Sequence, residues 1–143
     1  MRNRYPIAVY LIFLRNDQIL LLRRSNTGYE DGNYSLVAGH VEAGETVTQA
    51  AVREAFEEAG VVLRQENLEV VHVMHRKGDD ERVDFFVLAN AWSGEIQNRE
   101  PNKCDELSWF PLADLPANLI PCVRVALINY QKGLFYSEFG WKA

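Results

Sequence analysis

The sequence predicts an α+β fold in which α-helices pack on the faces of a mixed β-sheet. Short apolar segments recur along the chain, and turn-prone residues separate them. Two other segments repeat their apolar residues at helical spacing. No internal repeat or linker rich in proline and glycine divides the 143 residues, so we expect one domain spanning residues 1–143.

The first half of the chain contains three predicted strands and one predicted helix. Residues 7–14 and 18–23 are apolar, and the turn-prone residues 15–17 join them as a strand pair. Residues 34–38 form a third short strand that enters a glycine-containing stretch. The helix spans residues 46–59 and stops at Gly60, because glycine is favoured just past a helix end.

The second half adds further strands and a second helix. Residues 68–75 and 83–92 are predicted strands on either side of a polar turn, and residues 107–110 form another. Residues 121–131 have helical spacing, whereas the aromatic tail at residues 135–141 supports no assignment.

Composition restricts the class of protein. The chain is 48% hydrophobic and 24% charged, as in ordinary globular proteins. Its formal net charge of −5 opposes non-specific binding to a nucleic acid polymer, which requires a basic surface. The apolar run 7–14 is too short to cross a membrane and is not followed by a cleavage signal, so we expect a cytoplasmic protein. Cys104 and Cys122 are best explained as buried thiols.

The predicted helix at residues 46–59 places three acidic side chains on one face. With Glu54 taken as zero on a helical wheel, Glu58 lies about 40° to one side and Glu57 about 60° to the other. The opposite face is apolar and is predicted to pack on the sheet. Its residues are Val52, Ala55, Phe56 and Ala59.

Clustered carboxylates on a helix have two explanations. They can form a solvated face, which is common, or they can bind a divalent cation that offsets their mutual repulsion. Gly39 and Gly44 precede the helix in a loop where the backbone can approach a metal or phosphate, and Glu45 and Arg53 bring opposite charges into the same region. These additions favour a Mg²⁺ or Mn²⁺ site for a polyphosphate over a solvated face.

The stretch from Gly39 to Val61 resembles the Nudix box. That motif reads Gly, five residues, Glu, seven residues, then Arg-Glu-apolar-any-Glu-Glu-any-Gly-apolar. Every fixed position is filled in this chain. The matching residues are Gly39, Glu45, Arg53, Glu54, Glu57, Glu58, Gly60 and Val61, with the small Ala55 at the first apolar slot.

The resemblance implies a fold, a set of metal ligands and a supporting ion pair. The implied fold is a mixed sheet sandwiched between helices, in an α/β/α arrangement. Glu57 and Glu58 would bind the metal, Glu54 would bind metal or orient the attacking water, and the Gly39 carbonyl would complete the site. The implied pairing of Arg53 with Glu45 would close the loop on the helix, so that Arg53 supports catalysis either structurally or directly.

Residues outside the box are also candidates for the reaction. A metal-activated water is the expected nucleophile, with a carboxylate accepting its proton. In Nudix hydrolases this general base can come from another loop, and Glu106 is the candidate here; an exposed acidic turn is the alternative explanation. Arg23 and Arg24 are candidates for binding substrate phosphates, because guanidinium groups hold phosphate oxygens in pairs.

The expected activity is hydrolysis of a phosphoanhydride bond in a nucleoside diphosphate linked to another group. The segment PNKCDELSWFPLADLP resembles one in MutT-type enzymes, which favours conversion of a nucleoside triphosphate to a monophosphate and pyrophosphate. ADP-ribose, nucleotide sugars and other diphosphates remain alternatives, although residues 75–77 lack the proline or tyrosine of some such enzymes. An inactive ligand sensor is disfavoured by the intact box carboxylates. The expected partner is a small nucleotide, without nucleic acid polymer or membrane, and the commonness of closed dimers favours a homodimer.

Overall fold

The computed structural model describes residues 2–142, and a mixed sheet of eight strands runs through its centre. Two α-helices and a short 3-10 turn at Gln65–Asn67 complete the regular structure of these residues. This arrangement confirms the predicted α+β class. The elements are β1 (Ile7–Arg15), β2 (Gln18–Arg24), β3 (Tyr34–Ser35), β4 (Val37–His40), α1 (Val47–Ala59), β5 (Glu69–Lys77), β6 (Glu81–Ala89), β7 (Cys104–Pro111), α2 (Pro121–Gln131) and β8 (Tyr136–Phe139).

The sheet divides along one edge of β1. The main strand order is β3-β2-β1-β6-β5-β8, with β1–β6 and β5–β8 parallel. On its other edge, β1 pairs with β4 over residues 8–11 and with β2 only at Leu14 and Arg15. β2 instead pairs with β7 along its whole length. β2 therefore diverges from β1 where β4 pairs with β1, which divides the sheet.

Alternate residues of β1 enter two separate cores, one beneath each helix. Leu11 and Phe13 pack in the cluster that contains Ala51 and Ala55 of α1. Ile12 packs in the cluster that contains α2 residues such as Leu127. The period of two in a strand thus places one helix on each face of the sheet. Neither helix within residues 2–142 is long and apolar enough to span a membrane.

Both helix predictions are confirmed. At the start of α1, the Thr46 hydroxyl accepts a hydrogen bond from the Gln49 backbone N–H (3.1 Å), and Gln49 Oε1 accepts one from the Thr46 N–H (2.8 Å). Gly60 ends the helix with a φ of 72°, a left-handed conformation that glycine adopts without strain. The predicted span 121–131 coincides with α2.

The strand predictions needed smaller corrections. The predicted strand 34–38 is interrupted at Leu36, so that β3 pairs with β2 while β4 pairs with β1. The sixth strand ends at Ala89 rather than at residue 92. The unassigned tail forms β8, which adds to the edge of β5. Cys104 and Cys122 are buried free thiols, as expected.

The helical-wheel prediction for α1 was wrong for Phe56. We expected Phe56 to pack on the sheet, but it is 51% exposed. The Arg99 guanidinium carbon lies 5.4 Å from the centre of its ring, and the Arg99 N–H donates to the Glu58 carbonyl. The returning chain after β6 therefore covers this side of α1. Glu54 shows the opposite difference from the helical wheel: it belongs to the acidic face, yet it is only 9% exposed.

Candidate active site

Gly39 brings β4 into contact with the acidic face of α1. A Cβ atom built on Gly39 would lie 2.1 Å from Oε1 of Glu54, far inside any real contact distance. Only glycine at this position leaves room for the carboxylate. The pairing of Gly39 with Val9 on β1 holds the strand in place, so the Gly39 backbone and the Glu54 side chain stay adjacent.

Arg53 connects the loop before α1 to the carboxylates of the helix. Its Nε and Nη2 atoms donate to the two oxygens of Glu45 at 2.8 and 3.0 Å, and Nη2 also donates to the His40 carbonyl at 2.9 Å. Its Nη1 atom donates to Glu54 at 2.7 Å and to Glu57 at 3.2 Å. The expected Glu45–Arg53 ion pair is therefore present, and the same guanidinium restrains two further carboxylates.

The pKa values of three carboxyl groups in this cluster are shifted from their ordinary values. Hydrogen bonds from Arg53, followed by one from the Glu42 N–H, lower the pKa of Glu45 to about 2. Burial, followed by the nearby charges of Glu54 and Glu100, raises the pKa of Glu58 to about 9. Burial also raises the pKa of Glu54, against the opposing effect of Arg53. Glu58 is thus a carboxylate whose ionised form lacks compensating positive charge, whereas Arg53 offsets part of the effect of burial on Glu54.

A cavity of about 490 Å³ lies beside these carboxylates, where the sheet divides. Glu58 lines it from α1, and the Ala38 N–H of β4 donates to Glu58 Oε2 at 3.2 Å. Arg24 and Lys103 line the same cavity from β2 and from the loop before β7. Glu100, on that loop, also lines the cavity. The cavity therefore combines half-buried carboxylates with cationic side chains.

A family model for the NUDIX domain matches residues 4–127. The chain belongs to the NUDIX domain family. Curated relatives of this Nudix domain include the NAD-capped RNA hydrolase NudC of Escherichia coli (strain SMS-3-5 / SECEC), 33% identical over 118 residues. The match covers 80% of this chain and 44% of that protein. NudC of Pseudomonas aeruginosa (strain LESB58) is 36% identical over 117 residues, covering 80% of this chain and 40% of the relative. The Nudix domain thus spans less than half the length of these relatives.

Solved structures are similar over most of the chain. The MutT NUDIX hydrolase from Burkholderia pseudomallei has a TM-score of 0.80 and 31% identity, covering 88% of this chain and 98% of that one. The MutT protein from Methanosarcina mazei Go1 has a TM-score of 0.76 at 20% identity, covering 92% and 96%. The second likeness concerns the fold alone. Both agree with the mixed sheet and flanking helices of this Nudix domain.

Divalent metal is a general requirement of Nudix hydrolases, and the residues present fit such an ion. No three His, Cys, Asp or Glu side chains within residues 2–142 form a ready-made metal cluster. Magnesium does not require one, because it typically binds few carboxylates together with waters and substrate phosphates. The Glu54 carboxylate fills the position that a Gly39 side chain would take, and its donor atoms are hard oxygens. Residues able to hold the ion are Gly39 through its carbonyl, Glu54, Glu57 and Glu58.

The structure separates the two predicted phosphate-binding arginines of this Nudix domain. Arg24 lines the cavity with Glu58, and its Nε donates to the Tyr29 carbonyl at 2.7 Å. Arg23 instead forms an ion pair with Asp105 at 2.8 Å and lies 3.8 Å from Glu106. Neither Arg23 nor Glu106 lines the cavity.

Glu106 and Glu100 occupy different environments. Glu106 accepts a hydrogen bond from the Tyr34 hydroxyl at 2.8 Å, away from the helix carboxylates. Glu100 lines the cavity, and its charge acts on Glu58. Glu100 was not predicted from the sequence, because it stands in an irregular loop without periodicity. Its one signal was position, directly before the segment that resembles MutT-type enzymes.

Proposed function

We propose that this protein hydrolyses a phosphoanhydride bond in a nucleoside diphosphate linked to another group, in a reaction that depends on a divalent metal. The observation that carries the proposal is the contact between Gly39 and Glu54, one helical turn from Glu58, which lines the cavity together with Arg24. Carboxylates for a metal and a guanidinium for phosphate thus face one space. Phosphoryl transfer requires mainly positioning and charge neutralisation, which this arrangement supplies.

Each residue of the cluster has a proposed role. Gly39, Glu54, Glu57 and Glu58 hold the cation, which when bound neutralises phosphate charge and acidifies a water. Arg53 positions Glu54 and Glu57 through its hydrogen bonds to both, while Glu45 fixes Arg53. Arg24 contacts the substrate phosphates.

Two residues are candidates for accepting the proton of the attacking water. Glu100 shares the cavity with Glu58, which makes it the better-placed candidate for general base. Glu106, the candidate from the sequence, is held by Tyr34 and lies close to Arg23. It would need to leave both contacts in order to reach the cavity.

The proposed reaction converts a nucleoside triphosphate to a monophosphate and pyrophosphate. Support comes from the C-terminal segment that resembles MutT-type enzymes and from the likeness to the Burkholderia pseudomallei MutT NUDIX hydrolase. The second candidate is a dinucleotide such as NAD, free or as an RNA cap, because the curated relatives are NAD-capped RNA hydrolases. ADP-ribose and nucleotide sugars share the same diphosphate linkage.

A substrate panel tests the proposal. Nucleoside triphosphates, NAD, NAD-capped RNA, ADP-ribose and nucleotide sugars are each incubated with Mg²⁺, Mn²⁺ or a chelator, and the products are separated by chromatography. We expect metal-dependent release of pyrophosphate from triphosphates. Faster cleavage of NAD would make NAD the proposed substrate and leave the proposed type of reaction unchanged. Cleavage that persists in the chelator would refute metal dependence. A folded protein that binds Mn²⁺ and cleaves none of the compounds would refute hydrolysis and favour a ligand sensor.

A further inference from the structure

A second cavity of about 480 Å³ adjoins the one beside Glu58 along β4. Both cavities are lined by Arg24, Ala38 and His40, so they form neighbouring parts of one cleft. The second cavity is also lined by Arg76 of β5 and Tyr10 of β1. Gly39 also lines it, so a group attached to a diphosphate at the proposed metal site could extend into this cavity. The role assigned to it below therefore rests on the proposed function.

Arg76 is held in place by a buried carboxylate. Its Nε donates to Asp84 Oδ2 at 2.6 Å, and the two side chains are only 12% and 1% exposed. Asp84 Oδ1 has no hydrogen-bond partner within residues 2–142, and burial raises the pKa of this carboxyl group. A buried ion pair of this kind costs desolvation energy, so it is poorly explained as a stabilising feature alone. Its geometric effect is to occupy Nε and leave the two terminal nitrogens of Arg76 available.

Of the other guanidiniums of this cavity, Arg82 is bound to a carboxylate and Arg24 is the residue proposed to contact the substrate phosphates. Arg82 donates through Nε and Nη2 to the two oxygens of Asp80, at 3.0 and 2.9 Å. Arg24 donates through Nε to the Tyr29 carbonyl and lies 5.3 Å from the Tyr29 ring centre. The terminal nitrogens of Arg76 have one weak contact, with the Tyr10 hydroxyl at 3.4 Å. Arg76 is therefore the donor pair best placed to read a ligand in the interior of this cavity.

Charge and shape favour a planar ring over another phosphate. Three arginines line the cavity, but the carboxylates of Asp79, Asp80 and Asp84 balance them, so no excess positive charge attracts an anion. Two tyrosines also line it, and the Tyr29 side chain is half exposed. Aromatic faces stack on planar rings.

We propose that Arg76 determines specificity by donating two hydrogen bonds to a planar ring that carries two adjacent acceptors. Guanine has such an edge, formed by O6 and N7. Adenine places an amino donor beside N7, and that donor would face the donors of Arg76. Asp84 acts as a positioning residue, because its hydrogen bond directs Arg76 without itself meeting the ligand. The expected substrate class is accordingly guanine-type rather than adenine-type nucleotides.

Binding without hydrolysis tests this inference. Isothermal titration calorimetry in a chelator compares GMP with AMP on the full chain. We expect wild type to bind GMP at least about tenfold more tightly, because one bidentate pair discriminates by that order. The Arg76→Lys variant retains the charge opposite Asp84 but loses the planar donor pair, so its preference should fall to within about threefold. Arg64→Lys, on the exposed segment before residues 65–67, is the matched control and should keep the wild-type preference.

The outcomes separate this inference from the proposed function. Equal affinity of wild type for GMP and AMP, or an unchanged preference in Arg76→Lys, would overturn the role of Arg76. The wild-type comparison decides the first point even if the variant fails to fold. The protein could prefer GMP through Arg76 and yet cleave no phosphoanhydride. That result would support the recognition site and refute the proposed hydrolase activity.

Discussion

Gly39 and Glu54 are in such close contact that no other side chain fits between β4 and α1. The distance of 2.1 Å from a built Cβ to Glu54 Oε1 means that any larger residue must displace the carboxylate or the strand. Glu54 cannot move easily, because it is buried and accepts a hydrogen bond from Arg53. The position of the carboxylate therefore depends on the absence of one methyl group.

Gly39→Ala should reduce both stability and turnover. Overpacking of a well-packed site costs about 1–3 kcal/mol, and a misplacement of about 1 Å in an active site can reduce turnover about 100-fold. Urea unfolding and steady-state kinetics on the preferred substrate measure the two effects. The control is a double-mutant cycle with Glu54→Ala, which removes the clashing atoms. The two stability changes should then couple by about 1 kcal/mol or more, and strict additivity would show that the contact is unimportant.

The stability contributed by the Glu45–Arg53 pair should be lost in acid. The folded pKa of Glu45, about 2, lies below its ordinary value of 4.5, so the folded state favours the ionised form. The contribution is complete above about pH 4.5 and disappears as the pH falls through about 2. Urea unfolding of wild type and Glu45→Gln between pH 7 and pH 2 should show two curves that converge in acid.

Glu42→Gln is the matched control for that experiment. The Glu42 side chain is 68% exposed and lies 3.7 Å from Arg53, so its removal should change stability little at any pH. A stability difference between wild type and Glu45→Gln that stays constant down to pH 2 would contradict the assigned ion pair.

Glu58→Gln should retain the fold and lose turnover. The glutamine carbonyl oxygen can still accept the hydrogen bond from the Ala38 N–H, while the charge for the metal is removed. We expect a fall in kcat of at least about 100-fold together with weaker Mn²⁺ binding, measured by water-proton relaxation. Glu66→Gln, on an exposed residue of the 3-10 turn, should behave as wild type. Normal turnover in a folded Glu58→Gln protein would exclude Glu58 as a required ligand.

Glu100 and Glu106 can be distinguished by the same kind of substitution. If Glu100 accepts the proton, Glu100→Gln should reduce kcat by about 100-fold or more with little change in KM. Glu106→Gln should change kcat less, because it keeps a partner for the Tyr34 hydroxyl outside the cavity. The reverse ranking would restore Glu106 as the base and require that segment to move during the reaction.

The two neighbouring arginines of β2 should affect different properties. Arg24→Met should raise KM about tenfold, because it removes a cation from the cavity. Arg23→Met should leave the midpoint of urea unfolding nearly unchanged, because its pair with Asp105 is exposed to solvent. Similar increases of KM in both variants would show that Arg23 also reaches the substrate.

Much of the fold followed from local patterns in the sequence. The bounds of α2, the end of α1 at Gly60 and the strand pair β1–β2 all depend on neighbouring residues, and these predictions were confirmed. The tail was different, because β8 has only four residues and becomes a strand by pairing with β5. Phe56 was also mispredicted, since periodicity reports which residues share a face but not which loop later covers it.

The sequence by itself determined the family, the helix that carries the carboxylates and the pairing of Glu45 with Arg53, because all of these lie within one short continuous segment. Only the tertiary structure placed Arg24 and Glu100 at the cavity, without Arg23 and Glu106, and brought Asp84 into contact with Arg76. Adjacent strand residues point to opposite faces, and loop residues meet a site only after the chain has closed. A spacing rule that works within one helix therefore has no equivalent for residues that meet across the sheet.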